Sequence, residues 1–390
     1  MPLRKPFVLL AAALIFAISN LSCFKKQDND ITGAGEPLFT LTGRVLDIDN
    51  GRPVQRAVVQ IKTLGLSDTV DANGAYRFTN LKVGSRSLDI SAPHYAATTA
   101  LVTFQYEQRE AAQDIAMTKL LEVVFSGELP FTNASGVWWE NRQLVITKFD
   151  SMGGNLYRLD ENLNVLQVSP HLGTLMADTC FVRVDTCFWK QGMCQRFIDP
   201  AHPFTPDSIT TDSVFVNCRQ RLYGLTRADG FFYTTDGLGH FSGANALTPI
   251  HIFKVDPQTL APVNVLALNS PLNGYPMRFI TDLAWDGSGV WLCNRDFNNF
   301  LKVNAGDFSL RAVFAGPVAN ATGLTLDGGN MWISSGAEII QYNLNRGVRN
   351  HYKNPNLSNA YIAWDGKYLW AVNGASNKIF KLAIPFEDHL

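Results

Sequence analysis

Through most of the chain, apolar and polar residues alternate with a period of two, in short runs broken by Asn-Gly, Asp-Gly and Pro-containing turns. This is the pattern of half-buried β-strands. Phe39–Leu46 alternates in this way, and Asp49–Pro53 reads as a turn. Further strands are predicted at Ala57–Lys62, Ala75–Phe78 and Arg86–Ser91, separated by turns at Asp71–Gly74 and Leu81–Gly84. Short strands at this spacing predict a small β-sandwich over 38–119.

Beyond residue 120 the pattern repeats. Asp282-Leu-Ala-Trp-Asp-Gly-Ser-Gly-Val-Trp291 matches Gly323-Leu-Thr-Leu-Asp-Gly-Gly-Asn-Met-Trp332 and Tyr361-Ile-Ala-Trp-Asp-Gly-Lys-Tyr-Leu-Trp370. The Asp-Gly pairs begin at 286, 327 and 365, so the period is 41 and then 38 residues. Gly136–Asn141 and Gly224–Gly230 are weaker copies. A third strand follows each copy, at 156–160, 252–256, 300–304, 339–343 and 379–383. Four copies add a fourth strand, at 165–168, 263–266, 310–314 and 348–352. Four strands in a period near 40 define a propeller blade, with Asp-Gly expected in primed two-residue hairpins. Trp291, Trp332 and Trp370 share one phase and are expected in the core between blades. The last copy lacks a fourth strand, while Leu121–Phe125 stands unpaired ahead of the first. Ring closure by that early strand would remove an open sheet edge. Gly136 and Gly224 lie two periods apart, which predicts a cryptic blade at about 170–221. The expected fold is therefore all-β: a sandwich, then a six-bladed β-propeller over 120–390 closed by its N-terminal strand.

Two resemblances accompany these patterns. Gly43/Val45, Pro53/Ala57/Val59, Asp71/Gly74/Tyr76, Leu81/Gly84 and His94-Tyr95 resemble the carboxypeptidase regulatory-like family. That family is a transthyretin- or starch-binding-like accessory module without catalytic residues. His94 stands where it usually has Gly. The repeats resemble propellers of the NHL, YVTN and SMP-30 type, a resemblance that implies architecture more than chemistry.

The N-terminus reads as an address. Arg4 and Lys5 precede a 12-residue apolar run, Phe7–Ile18, too short to span a bilayer. Ser22-Cys23 resembles a bacterial lipobox, although Leu21 lies two rather than three positions before the Cys. The resemblance implies a signal peptide at 1–22, lipidation of Cys23 and a lipid membrane as partner. Phe24 in place of Asp implies the outer membrane, on its periplasmic or surface face. Residues 23–37 read as a flexible tether. Loss of the leader moves the net charge from −1 to about −3, which argues against nucleic acid. Among an exported chain's cysteines, the clustered Cys180, Cys187, Cys194 and Cys218 predict two disulfides. Three pairings are possible; Cys180–Cys187 with Cys194–Cys218 closes the shortest loops. Asp47, Asp49 and Asn50 read as turn residues rather than calcium ligands.

No catalytic motif stands out, and no metal or cofactor is expected. Candidates for the funnel of the propeller are Asp150, Asp236, His240, Asp282, Arg295, Asp296 and Asn373. Trp138-Trp139 and Phe231–Tyr233 could stack on a glycan. The expected function is a non-catalytic, membrane-anchored scaffold of the bacterial cell envelope. Its partner would be a glycan or an envelope protein. The competing expectation is a propeller lyase, lactonase or other hydrolase, which would need acidic, His or Asn groups converging in the funnel.

Overall fold

The computed structural model describes residues 38–105, 109–150, 153–172, 182–190, 193–195, 205, 207–215, 221–237, 241–242, 246–247, 250–268, 272–374 and 376–385. Two sheets form the sandwich. In one, Phe39–Asp47 pairs with Ala75–Leu81 on one side and, in parallel, with Glu110–Ala112 and Ile115–Met117 on the other. The second runs Leu66–Thr69, Val58–Ile61, Gly84–Ser91, Thr98–Phe104. Alternate residues point inward, so Phe39, Leu41, Val59, Ile61, Leu88 and Ile90 make a core of their own.

Among the described residues the repeats form five blades of four antiparallel strands, the fourth blade carrying one further, parallel strand at its edge. The first blade is Ala134–Glu140, Gln143–Asp150, Gly153–Leu159 and Val165–Val168, and the second is Tyr223–Ala228, Phe231–Thr235, Ile250–Val255 and Pro262–Leu268. The third begins at Ile280–Trp285, the fourth at Gly323–Leu326 and the fifth at Ala360–Trp364. The fifth blade takes its outer strand from the start of the domain. Glu122–Glu128 runs antiparallel to Lys378–Ala383, with Val123 opposite Leu382 and Gly127 opposite Ile379. The expected closure is present, and the last edge of the ring is paired.

Among the described residues the ring holds five blades, where the spacing predicts six. Each inner strand packs on the next around the axis, and Ala134–Glu140 lies directly against Tyr223–Ala228. A Cβ on Gly136 would stand 2.5 Å from the Gly224 carbonyl carbon, which leaves no room for a blade between them. The stretch read as a cryptic blade instead holds a three-stranded sheet, Met193–Gln195, Val182–Lys190 and Ser208–Phe215. It is an insertion between the first two blades. A spacing of two periods is equally satisfied by one blade plus one insertion.

The hairpins also divide into two kinds. Asn141-Arg142 and Asp229-Gly230 are two-residue loops with positive φ at both positions, as primed turns require. In the third to fifth blades the Asp-Gly pair opens a four-residue loop, between the paired residues Trp285 and Val290, for example. There the Asp side chain caps the turn. Asp286 Oδ1 accepts the amides of Ser288 and Gly289, and Oδ2 accepts the Trp291 indole N–H at 2.8 Å. Asp327–Trp332 and Asp365–Trp370 repeat the contact at 2.9 Å. This explains the fixed five-residue offset from Asp to Trp. All three Trp side chains are buried, as expected.

Sandwich and propeller are joined by more than a linker. Lys119–Leu120 adds in parallel to Gly347–Lys353, the outer strand of the fourth blade. The Lys119 ammonium is buried, hydrogen-bonds Asn350, and lies 3.3 Å from Asp49 and 3.7 Å from Asp47. Asp49 accepts the His351 amide at 3.0 Å and meets His351 Nδ1 at 2.7 Å, while Tyr95 donates to Asp47 at 2.8 Å. Turn chemistry alone accounts for only part of this loop. Asp47 does cap it, accepting the amides of Asp49 and Asn50, but Asp47 and Asp49 also anchor one domain on the other.

Candidate functional site

The propeller axis has two ends. The hairpin end is packed with apolar side chains from every blade, among them Val137, Leu225, Leu283, Leu324 and Ile362. The cavity among them is only about 40 Å³. The opposite end carries the blade-to-blade connections, and the inner strands start there. In the repeat, Gly136, Gly224 and Gly323 share one position with Asp282 and Tyr361. Three of the five blades thus bring bare backbone to the axis, and two bring a functional side chain.

Asp282 is fully buried at this level. Its Oδ1 accepts the amides of Leu225 at 3.2 Å and Leu283 at 2.9 Å, and its Oδ2 accepts that of Leu324 at 2.8 Å. One carboxyl thereby ties the second, third and fourth blades together. A side chain on Gly224 would collide with it, since a Cβ there would lie 2.6 Å from Asp282 Oδ1. Burial raises the Asp282 pKa well above the usual carboxylate range, and the three amides act in the opposite direction. Burial likewise lifts the Tyr361 hydroxyl well above its ordinary value, and the Cys293 thiol, also buried, is pushed up to about 12.

Above this floor, on the side of the first three blades, lies a cluster of aromatics and guanidinium groups. Tyr223 meets Phe279 edge-on at 5.0 Å and stacks near Phe149 at 6.0 Å. Arg221 sits 5.0 Å over the Phe149 ring, and Arg295 5.8 Å over the Phe279 ring. Burial raises the Tyr223 hydroxyl pKa, against a hydrogen bond from Arg221. Phe149, Phe279, Arg221 and Arg295 all remain partly exposed.

The candidates read from sequence do not converge as a set. Asp282 and Arg295 belong to this mouth. Asp236 is buried and engaged by His251 through its amide at 2.9 Å and Nδ1 at 2.7 Å. Asp150 pairs with His171 at 2.9 Å. Asp296 turns away to Arg278 at 3.3 Å. Asn373 clamps a blade connection, accepting the Ser358 amide and donating to the Asn356 carbonyl. His240 lies outside the described residues, as do Cys23, Cys180 and Cys218; Cys187 and Cys194 fall on strands of the inserted sheet. Trp139 is stacked on Trp370 at 5.0 Å, and Phe232 and Tyr233 are buried, so these rings are packing residues. Sequence reasoning missed Arg221, Tyr223, Phe149, Phe279 and Tyr361. Aligning the repeat position held by Gly136, Gly224 and Gly323 shows Asp282 and Tyr361 as its two exceptions to Gly.

Together these observations define an all-β, two-domain protein in which a β-sandwich is docked on a strand-closed β-propeller. The family model of the carboxypeptidase regulatory-like domain matches residues 40–118, the sandwich. No curated protein matches the chain. Among solved structures, the chain is similar to a glutaminyl cyclase from Myxococcus xanthus at 9% identity and TM-score 0.43, over 67% of this chain and 95% of that one. It is also similar to virginiamycin B lyase from Staphylococcus aureus (13%, TM-score 0.35, 68% and 99%) and to a luciferin-regenerating enzyme (13%, TM-score 0.40, 68% and 95%).

Proposed function

We propose that this protein is a lipid-anchored recognition protein of the bacterial cell envelope, carrying its ligand site at the aromatic and guanidinium mouth of the propeller. The observation that carries this reading is the division of labour at the axis. One end is sealed by apolar side chains, and the other offers the partly exposed Phe149 and Phe279, packed on the buried Tyr223, beside Arg221 and Arg295. Ring faces suit stacking on a sugar or other flat ligand, and the guanidinium groups suit its acidic substituents. The acidic and Asn candidates are occupied by His251, His171, Arg278 and backbone groups, so their order is that of a scaffold. An acidic envelope glycan fits this chemistry. The lipobox-like Ser22-Cys23 supports the anchor and the tether that would lift the domains off the bilayer.

The enzyme reading keeps one favourable observation. Asp282 is a buried carboxyl with a raised pKa, next to Tyr361 and Tyr223 below the mouth. Calorimetric titration with acidic oligosaccharides, combined with product analysis, separates the two. Saturable heat that is lost in R221Q/R295Q, with the glycan recovered intact, supports recognition. Consumption of the glycan that is abolished in D282N supports the enzyme. No binding to any acidic glycan refutes the proposal.

A further inference from the structure

A second concavity lies at the domain junction, away from the propeller mouth. It measures about 450 Å³, within the range of small-molecule sites. Its floor is spoken for: Tyr95 donates to Asp47, and Lys119 is shared among Asp47, Asp49 and Asn350. Asp47 completes its partners with the amides of Asp49 and Asn50. The rim is different. Arg52 and Arg56 line the crevice and are exposed, and neither guanidinium has a hydrogen-bond or ion-pair partner among the described residues.

Two rim residues also hold a backbone conformation that side chains disfavour. Arg56 has φ 57° and His94 has φ 62°, both left-handed. Such strain persists where surrounding structure enforces it, and it clusters at ligand clamps. Here the enforcement is visible on one side. His94 Nδ1 meets Glu122 Oε1 at 2.6 Å, and Glu122 begins the strand that closes the propeller. One wall of the crevice therefore touches the other domain. The carboxylates that line it already have their donors, so among the described residues the Arg52 and Arg56 guanidinium groups stay open to an acceptor from solution.

We infer that this crevice binds a small multivalent oxyanion, a polycarboxylate or a phosphate, with Arg52 and Arg56 as its clamp. Planar guanidinium groups suit either acceptor, because both present paired oxygens. The test is calorimetric titration of the full exported chain with malonate and with inorganic phosphate. R52Q/R56Q serves as the test variant, and R346Q/K367Q as a control that removes two exposed cations elsewhere. The inference expects saturable binding of at least one probe, weakened roughly tenfold or more in R52Q/R56Q and retained in the control. The probe that binds distinguishes carboxylate from phosphate recognition. Both variants alter exposed side chains, so their thermal midpoints should match the parent and show that each is folded. Absence of saturable binding by both probes overturns the inference, as does an equal loss in the two variants. The mouth variant R221Q/R295Q should bind these probes normally, so a failure here is distinct from a failure of the mouth proposal.

Discussion

Replacing Asp282 with Asn tests how the ring is held. The carboxyl offers two oxygens to three amides on three blades, those of Leu225, Leu283 and Leu324. Asn keeps the shape but only one acceptor. If its oxygen stays with Leu225 and Leu283, its amino group faces the Leu324 N–H, and a buried donor loses its partner. Leaving such a group unsatisfied costs about 1–3 kcal/mol. At about 2–4 °C per kcal/mol for a domain of this order, the midpoint should fall by roughly 2–12 °C. The pH dependence of this loss is a sharper test. Burial raises the native pKa of Asp282 above its unfolded value, so the folded state holds the proton more tightly. The stability Asp282 contributes is therefore complete below the unfolded pKa of about 3.9 and is lost as pH rises through the native value. Asn does not titrate, so the gap between parent and D282N should narrow as pH rises. Thermal unfolding followed by circular dichroism at a series of pH values measures this gap. A gap that widens with pH would mean that the three amides outweigh desolvation and that the native group is the carboxylate. A midpoint unchanged by D282N would refute the inter-blade tie itself.

The turn-capping carboxylates behave in the opposite sense. Burial acts to raise Asp286, but hydrogen bonds from Lys302, Trp291 and Ser288 leave it below the ordinary range, and Asp327 is lowered in the same way by Asn330, Gly329 and Trp332. Their contribution is present above the unfolded pKa and lost as pH falls through the native one, so D327A should cost about 1–2 kcal/mol at pH 7 and less in acid, read by urea unfolding. K119M leaves Asp47 and Asp49 buried without their cation. It should destabilise by about 3–5 kcal/mol and split one unfolding transition into two, visible by calorimetry. Cys293 is buried with its thiol pushed up to about 12, so a thiol reagent at pH 8 should modify it only after unfolding, as peptide mapping by mass spectrometry would show.

The repeat was legible because every blade buries one face in the same phase, and because the Asp-to-Trp hydrogen bond fixes a five-residue offset in sequence. Closure was legible because an unpaired strand at one end matched a missing strand at the other. The blade count was not, since periodicity measures chain length, and an inserted sheet between Val168 and Tyr223 consumes residues without entering the ring. The domain junction was hidden for a related reason. Asp47, Asp49 and Lys119 look like turn and surface residues until Asn350 and His351, some 230 to 300 positions away, are brought against them. The mouth was half legible: polar and charged candidates were named, but Asp236 and Asn373 proved to be clamps, and the aromatics that shape the opening carry no local signature.

The ring depends on one contact above all, the pairing of Glu122–Glu128 with Lys378–Ala383. Glu128 lies opposite Lys378, and both are exposed. Partners across an antiparallel pair stand about 4.5–5.5 Å apart at Cα, within disulfide reach. In an E128C/K378C variant, oxidation should form a cross-link between these positions in the folded protein, identified by peptide mapping without reductant. If 128 and 378 fail to link while the protein is folded, the propeller is not closed by its first strand.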